Sequence, residues 1–455
     1  MVHKFRFGSA YIAIDVFSGA IHILDKISYE LLDFTDENMD KRCPEKAYAQ
    51  LSQYKKSELD ECYEELYDLY KQGMLYAPDT YGDIADKLGP APIKSMCLNV
   101  AHDCNLRCDY CFAAKGDFGK GRKLMPLDIG KKAIDFMIEN SGSRKNLELD
   151  FFGGEPLMNF DVVKSVVEYA RSREEETGKS FRFTITTNGL LLDDDKIDYI
   201  NKEMFNVVLS IDGRKEVNDK MRFSPNGTGS YDIIVPRFQR LVSKRGDKNY
   251  YARGTFTAEN LDFSRDVLHL YDLGFDQLSI EPVVCDKSLP YSLTEKELPV
   301  ILKEYENLAN EIINIKKSGR HINFFHFMID LESSPCAIKR LRGCSCGNEY
   351  VAVTPEGDIY PCHQFIGIDE FKMGNLNDGT FNSRLKEEFS GINIYKKEDC
   401  RNCFAKFYCS GGCTANNYQY SGGIYNPHKI SCEFQRKRLE CAIGIKAVLA
   451  SESEQ

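Results

Sequence analysis

The sequence predicts an α/β protein that is built around an incomplete, TIM-like (β/α)6 barrel, with a smaller domain at each end. Three observations support this prediction. Apolar strand patterns alternate with amphipathic helical patterns in the middle of the chain, a hairpin pattern precedes them, and closely spaced cysteines follow them. The length of 455 residues agrees with about three domains.

The first predicted domain covers residues 1–88. Apolar residues alternate on both sides of the turn at Ser18-Gly19, as they do in a hairpin with one buried face. Helical patterns follow, and Ser57 with Asp60 resembles a capping box at the start of one helix. Two or three strands with three helices are typical of a winged helix. Two roles stay open: a structural cap, or a domain whose free strand edge binds an extended peptide.

The second predicted domain, residues 89–300, begins with a Gly-Pro-Ala-Pro linker. Alternating strand and helix patterns predict a parallel sheet that curls into a partial barrel, in which active groups lie at the carboxyl ends of the strands. The predicted strands are Met96–Ala101, Leu147–Phe152, Arg182–Thr187, Val207–Ile211, Ala252–Thr257 and Leu278–Val283.

Two further regions complete the predicted organisation. Residues 301–343 are predicted to be a helical connector, because apolar residues such as Tyr305 and Leu308 recur in helical register. Residues 344–455 combine dense cysteines with a short, broken apolar periodicity. This combination predicts a small domain that metal holds together in place of a large apolar core.

Composition and charge exclude several classes of protein. The net charge is −10, and Lys and Arg form no cluster that could follow a phosphate backbone, so no nucleic acid is expected. No apolar run approaches the roughly 20 residues of a membrane span, so no membrane partner is expected. The 17 cysteines are odd in number, and the first residues lack the apolar segment of a signal peptide. These features predict a reducing, cytoplasmic setting in which thiolates act as metal ligands.

Three cysteines with the spacing CxxxCxxC follow the first predicted strand: Cys104, Cys108 and Cys111. A structural zinc site is closed by four ligands, so three thiols favour an iron-sulfur cluster with one exposed iron. Zinc stays the alternative. The second strand is followed by a Gly-Gly-Glu-Pro sequence, whose glycines let a polar ligand approach the backbone. A tight exit from the strand is the alternative for these glycines.

Together, the cysteine motif and Gly153-Gly154-Glu155-Pro156 resemble the radical S-adenosylmethionine superfamily. The resemblance implies that Cys104, Cys108 and Cys111 hold a 4Fe-4S cluster whose open iron chelates the amino and carboxylate groups of S-adenosylmethionine. It also implies four contacts to that cofactor, namely Tyr110 beside the adenine, Gly153 to Pro156 at the methionyl amino group, Ser210 at the ribose and Arg253 at a carboxylate. For Arg253, a buried ion pair is an equal alternative.

The cysteines of the C-terminal region resemble the SPASM domain, which carries two auxiliary 4Fe-4S clusters in peptide-modifying radical enzymes. The resemblance implies an outer cluster on Cys400, Cys403, Cys409 and Cys432, and an inner cluster on Cys346, Cys362 and Cys413. Two alternatives stay open for the fourth inner ligand. One is Cys344, which is unusually close to Cys346, and the other is an open iron that binds a substrate thiolate. The chain would then hold three 4Fe-4S clusters. The remaining cysteines are predicted to be small buried apolar residues, namely Cys43, Cys62, Cys97, Cys285, Cys336 and Cys441.

The opening of the chain, from Val2 to His22, resembles the recognition domain of maturases for the six-cysteines-in-forty-five-residues (SCIFF) peptides. This resemblance implies a ribosomally made, cysteine-rich precursor peptide as partner, with its leader added as a strand to residues 1–88. It also implies an electron donor such as flavodoxin or ferredoxin.

The activity that these resemblances imply is thioether formation within the peptide. Reductive cleavage of S-adenosylmethionine gives a 5'-deoxyadenosyl radical, which takes a hydrogen atom from an acceptor residue such as Thr. A peptide Cys thiolate, held near or on the inner cluster, then closes the bond while that cluster accepts an electron.

Other interpretations of the same motifs stay open. Formylglycine formation, epimerisation or carbon-carbon crosslinking would use the same clusters. His363 stands where sulfatase-maturing relatives typically have an Asp that is proposed as the base, which disfavours formylglycine formation. From another class, a non-enzymatic zinc-thiolate scaffold that binds peptides is the alternative.

Overall fold

The chain forms an N-terminal antiparallel sheet, a curled parallel sheet and a cysteine-rich C-terminal region in the computed structural model, which describes residues 1–331 and 337–453. Within these residues, no helix combines the length and the apolar character that a membrane crossing requires.

Three antiparallel strands begin the chain in the order β1-β2-β3, so the predicted hairpin is confirmed as β2 and β3. The sequence analysis did not separate β1. The capping box predicted at Ser57 is wrong by two residues, because the helix begins at Lys56 and the Glu58 carboxylate accepts from the Lys55 N–H at 2.8 Å. The elements of this region are β1 (Val2–Phe7), β2 (Ala10–Asp15), β3 (Ile21–Leu24), α1 (Lys26–Leu31), α2 (Glu45–Gln50), α3 (Lys56–Lys71) and α4 (Gly82–Asp86).

All six predicted strands of the barrel are confirmed, and neighbours in the sequence pair in parallel. This order is the one expected of repeated βα units that curl into a partial barrel. The elements are β4 (Ser95–His102), β5 (Lys123–Leu124), α5 (Leu127–Asn140), β6 (Asn146–Gly153), α6 (Phe160–Thr177), β7 (Ser180–Thr187), α7 (Asp194–Glu203), β8 (Met204–Ser210), α8 (Lys215–Met221), α9 (Tyr231–Arg245), β9 (Asn249–Phe256), α10 (Phe263–Asp272), β10 (Gln277–Pro282), α11 (Leu298–Lys317) and β11 (Asn323–Phe324).

The inner face of this sheet is polar and open, whereas its outer face is buried. On β9, Tyr250, Ala252 and Phe256 are buried, while Tyr251 and Arg253 are more exposed. Because side chains alternate along a strand, the two sets point to opposite faces. The outer set packs under the helices, and Arg253 faces the cavity enclosed by the barrel.

The C-terminal region extends the same sheet. Strand β12 pairs in parallel with β4, from Tyr350 opposite Ser95 to Val353 opposite Leu98, and the sheet has 12 strands within the described residues. The sequence analysis did not predict this pairing. The elements are α12 (Ala337–Arg342), β12 (Tyr350–Val353), β13 (Asp358–Tyr360), β14 (Gly374–Asn375), β15 (Thr380–Phe381), α13 (Ser383–Ser390), α14 (Glu398–Arg401), α15 (Lys406–Cys409), α16 (Thr414–Ser421) and α17 (Lys429–Ser453).

The N-terminal region packs directly on the loop that carries four of the cysteines. His3 of β1 stacks on Phe404 with a centroid distance of 3.5 Å. The buried Lys406 ammonium lies 3.7 Å from Asp79 and 4.3 Å from the centroid of the Phe17 ring. One small core contains buried apolar residues from both regions, including Cys400. The N-terminal region and the cysteine loop therefore stabilise each other.

Candidate functional site

A cavity of about 630 Å³ opens at the carboxyl ends of the barrel strands. The three-thiol loop forms one wall, the ends of β6, β8, β9 and β10 form the floor, and the C-terminal region closes the opposite side. The strand order explains this arrangement, since the loops after parallel strands all emerge at the same edge of a sheet.

The three-thiol loop is held in place by its backbone. The Arg107 and Asp109 N–H groups donate to the carbonyl oxygens of Phe223 and Met221 at 2.7 and 3.1 Å. Cys104, Cys108 and Cys111 are all partly exposed and line the cavity. Burial raises the pKa of Cys104 to about 12 and that of Cys108 to about 11. Without a metal, Cys104 and Cys108 therefore keep their protons, and metal binding would release them.

The glycines after β6 are required by close backbone contacts. Gly153 has a φ of +133°, and a Cβ atom there would lie 2.2 Å from the carbonyl oxygen of Ala101. A Cβ atom on Gly154 would lie 2.2 Å from the carbonyl oxygen of Asp103. The tight strand exit is thus confirmed, and both glycines also line the cavity. The same contacts bring the glycine turn against the loop that carries Cys104.

Glu155 joins the ends of two neighbouring strands. Its carboxylate is buried and accepts from the Asn188 and Leu157 N–H groups at 2.7 and 3.0 Å, and from the Thr187 hydroxyl at 2.8 Å. Burial raises the pKa of Glu155 to about 7, and these donors oppose the shift. The side chain therefore fixes the turn around Gly153 to Pro156, whose residues Pro156 and Glu155 are buried.

Tyr110 belongs to a buried polar group that the sequence analysis only partly found. Its hydroxyl donates to Asp212 Oδ2 at 2.6 Å and accepts from Arg222 Nη1 at 2.9 Å. The Nε atom of Arg222 is buried without a hydrogen-bond partner among the described residues. Asp212 could have been found from its place directly after the fourth strand. Arg222, which follows α8, carries no comparable sequence signal.

Arg253 and Ser210 are paired in register on β9 and β8, and both line the cavity. Arg253 is exposed and makes no hydrogen bond or ion pair within the described part of the chain. Its interpretation as half of a buried ion pair is therefore wrong. A free guanidinium that faces the cavity can bind a carboxylate.

Asp150 lies on the inner face of β6 and also lines the cavity. Its Oδ1 atom is buried without a hydrogen-bond partner among the residues described. Burial raises the pKa of Asp150 to about 7, and the charge of Arg253 opposes the shift. From the sequence, Asp150 is one residue inside a predicted strand, and its role could not be predicted because the orientation of its side chain depends on the sheet.

His363 lies between the barrel and the C-terminal cysteines. Its Nδ1 atom is 3.1 Å from the Tyr350 hydroxyl, and its ring packs against Phe112 and Phe152 at centroid distances of 5.4 and 5.0 Å. Burial and the nearby charge of Arg253 lower the pKa of His363 to about 4. The imidazole is therefore neutral near pH 7.

Four thiols form the inner group: Cys344, Cys346, Cys362 and Cys413. Cys346 and Cys362 are buried, whereas Cys344 and Cys413 are exposed. A hydrogen bond between the Cys344 and Cys346 thiols lowers the pKa of Cys344 to about 6. Ser345, with a φ of +54°, reverses the chain between Cys344 and Cys346. The structure thus brings Cys344 to the three predicted inner ligands.

Four other thiols form the outer group and line a second, smaller space: Cys400, Cys403, Cys409 and Cys432. Burial, with neighbouring thiols adding to it, raises the pKa of Cys432 to about 12. Burial also raises the pKa of Cys400 to about 11, against the charge of Lys397. Cys409, Cys413 and Cys432 also line the large cavity, so both groups reach it.

The thiol groups do not have the geometry of a single-ion site. A structural zinc needs four ligands close to one point, and no three ligand groups converge in this way among the described residues. A 4Fe-4S cluster instead needs thiolates spread around several irons. The separate groups of three, four and four thiols suit such clusters.

The remaining cysteines lie outside these groups. Cys43, Cys97 and Cys441 are buried, as predicted, whereas Cys62 and Cys285 are only partly buried. Cys336 lies outside the described residues.

Two family models match the chain. One, described as a 4Fe-4S single cluster domain, matches residues 94–235, and the SPASM model, an iron-sulfur cluster-binding domain, matches residues 344–404. A cysteine-type anaerobic sulfatase-maturating enzyme of Clostridium novyi (strain NT) is 27% identical over 348 residues, covering 71% of this chain and 88% of the relative. The radical SAM cyclopropyl synthase TigE of Paramaledivibacter caminithermalis is 22% identical over 374 residues, covering 76% of this chain and 72% of the relative.

Solved structures share the fold. Native anSMEcpe with bound AdoMet and Cp18Cys peptide has a TM-score of 0.64 and 20% identity, covering 80% of this chain and all of that chain. Streptococcus suis SuiB bound to S-adenosylmethionine has a TM-score of 0.55 and 17% identity, covering 92% of this chain and 96% of that chain.

The matched models, the partial barrel and the grouped thiols support one class, the radical S-adenosylmethionine enzymes with a SPASM domain. 4Fe-4S clusters and S-adenosylmethionine are the cofactors of this class, and the match to two iron-sulfur models displaces the zinc scaffold as an interpretation.

Metal analysis tests the grouping of the thiols. After anaerobic reconstitution we expect about 12 iron atoms per chain, the content of three 4Fe-4S clusters. Replacing Cys104, Cys108 and Cys111 together by Ala should remove about a third of the iron, because one group loses all its ligands. Cys62→Ala and Cys285→Ala, matched changes outside the groups, should keep the full content. Equal iron loss in these controls, or zinc in place of iron, would contradict the grouping.

Proposed function

We propose that the chain forms intramolecular thioether crosslinks, from Cys to Thr or another residue, in a ribosomally made, cysteine-rich precursor peptide. The observation that carries this proposal is the shared cavity, which is lined by the three-thiol loop and also by Cys413 of the inner group. A peptide in this cavity could contact the radical source and Cys413 of the inner group at the same time.

In this proposal, Cys104, Cys108 and Cys111 hold the cluster that binds S-adenosylmethionine. When bound there, the cofactor supplies a radical that removes a hydrogen atom from the peptide, and the auxiliary clusters supply an acceptor for the electron released on bond formation. Tyr110, Ser210 and the turn from Gly153 to Pro156 would orient the cofactor. Arg222 and Arg253 are two of the cationic groups on the cavity wall, and either could bind its carboxylate.

We propose that Asp150 is the base that accepts the proton of the peptide thiol. A thioether forms only after the S–H bond has lost its proton, so a base must lie in the cavity. Asp150 presents a buried oxygen without a partner among the described residues and lines the same cavity as the three-thiol loop and His363. In the transfer, the sulfur keeps the electron pair of the S–H bond and the carboxylate becomes a carboxylic acid.

Cys344 is the inner-group residue that we expect a peptide thiolate to replace. Cys344 is an exposed residue with the lowered pKa of about 6, whereas Cys346 and Cys362 are buried. We propose that Cys344 is the exchangeable fourth ligand, which a peptide thiolate replaces. This proposal joins the two alternatives that the sequence left open.

Leader recognition is proposed for residues 1–88. Among the described residues strand β3 pairs with β2 alone, which leaves its other edge free, and Ile23 on this strand is 49% exposed. A free edge of this kind can accept an extended peptide as a further strand. A flavodoxin or ferredoxin is the proposed electron donor, as in the resemblance described above.

Formylglycine formation is the second candidate, favoured by the names of relatives such as the enzyme of Clostridium novyi. Against it stands His363, which replaces the Asp expected after the cysteine in sulfatase-maturing enzymes. The two activities leave different products, because formylglycine formation removes the sulfur of a peptide Cys whereas thioether formation retains it.

Mass analysis of a treated precursor peptide tests the proposed activity. With reduced enzyme and S-adenosylmethionine, a cysteine-rich precursor should lose two hydrogens and one alkylatable thiol per crosslink, because the sulfur becomes bonded to carbon. A Cys→Ser precursor should stay unmodified. Loss of sulfur would instead support formylglycine formation, and an unchanged mass with an inverted residue would support epimerisation.

The variant Asp150→Asn tests the proton acceptor. Thioether yield per 5'-deoxyadenosine should fall by about 100-fold, while cofactor cleavage continues, because only the proton transfer is lost. In the wild type this yield should rise as the pH increases through about 7, where Asp150 loses its proton. In Asp150→Asn it should be independent of pH.

Asp161→Asn, at a carboxylate that is 94% exposed on α6, is the matched control and should behave as the wild type. A wild-type pH profile in Asp150→Asn would overturn the role of Asp150 alone. Absence of any thioether with the wild type would overturn the activity itself.

A further inference from the structure

Lys397 is a buried cation beside both auxiliary thiol groups. It directly precedes α14, which contains Cys400, and it is 1% exposed. Its Nζ atom donates to the Gly411 carbonyl oxygen at 2.7 Å, in the loop between Cys409 and Cys413. A Cβ atom on Gly411 would lie 2.9 Å from this Nζ atom, so glycine lets the loop close over the ammonium.

No carboxylate forms an ion pair with Lys397 among the described residues. An ammonium is buried at a high cost unless an opposite charge compensates it. The other buried lysine of this region has such a charge, since the Lys406 Nζ atom lies 3.7 Å from Asp79 Oδ2. Lys397 has no such carboxylate among the described residues, so other groups near it must supply the opposing charge if it is to stay an ammonium.

Thiols are the groups that surround Lys397. Burial lowers the pKa of Lys397, and the opposing charges belong to two thiols of each auxiliary group, namely Cys400, Cys409, Cys346 and Cys344. A 4Fe-4S cluster held by four thiolates carries net negative charge, and its reduction adds one more. The compensating charge would thus be present once both groups are loaded.

We propose that Lys397 is the shared counter-charge of the two auxiliary clusters and raises the reduction potential of both. A fixed cation stabilises the more negative, reduced form of each cluster relative to the oxidised form. Its position beside two thiols of each group lets one side chain act on both clusters. It touches neither peptide nor S-adenosylmethionine in this role and is a positioning residue for the electron acceptor.

Redox titration monitored by electron paramagnetic resonance tests this proposal on the reconstituted full chain. In Lys397→Met, both auxiliary potentials should fall by about 59 mV or more, a tenfold change for a one-electron couple. Lys397→Arg should stay close to the wild type because it keeps the charge. Lys396→Met, an exposed neighbour with the same change of charge, is the matched control and should leave the potentials unchanged.

Two results would overturn the proposal. One is an unchanged auxiliary potential in a fully loaded Lys397→Met protein. The other is an equal shift in Lys397→Arg and Lys397→Met, which would indicate altered packing. If Lys397→Met binds less iron, Lys397→Gln, which keeps a donor for the Gly411 carbonyl, is titrated in its place with the same expected fall. The readout does not require a peptide substrate, so it is independent of the proposed thioether activity.

Discussion

Strand β4 is paired along both edges, with β6 on one side and β12 on the other. The pairing with β6 brings the glycine turn at Gly153 against the loop that carries Cys104, since no Cβ atom would fit between them. The pairing with β12 carries the C-terminal cysteines to the same edge of the sheet. The cavity, which is lined by the three-thiol loop and by Cys413 of the inner group, depends on this one strand.

Three buried polar groups that the chain satisfies only in part lie near the proposed sites of cofactor, substrate and auxiliary clusters. Arg222, Asp150 and Lys397 are each taken out of water without full compensation from the chain itself. Such groups are costly to a fold and persist where a ligand completes them. Arg222 lies by the first thiol loop, Asp150 on the barrel wall and Lys397 between the auxiliary groups, so together they trace the proposed path of cofactor, proton and electron.

Local patterns predicted the barrel strands and the grouping of most thiols, because period-two alternation and short cysteine spacings depend only on neighbouring residues. The cap predicted at Ser57 is misplaced because the carboxylate that caps the helix belongs to Glu58. It accepts from the Lys55 N–H, so the helix begins at Lys56. Arg222, Asp150 and the pairing of β12 with β4 could not be predicted, since they arise where distant segments meet. Cys344 was left open because its spacing to Cys346 is short, and the reversed turn at Ser345 resolves how both thiols reach one group.

The most direct test of the shared cavity is the electron paramagnetic resonance spectrum of the reduced auxiliary clusters with and without precursor peptide. Binding of a cysteine-containing precursor should change the inner-cluster signal, because its thiolate would replace Cys344 there. A Cys→Ser precursor that binds equally well should leave the signal unchanged. Identical spectra with both peptides, at saturating binding, would contradict the account.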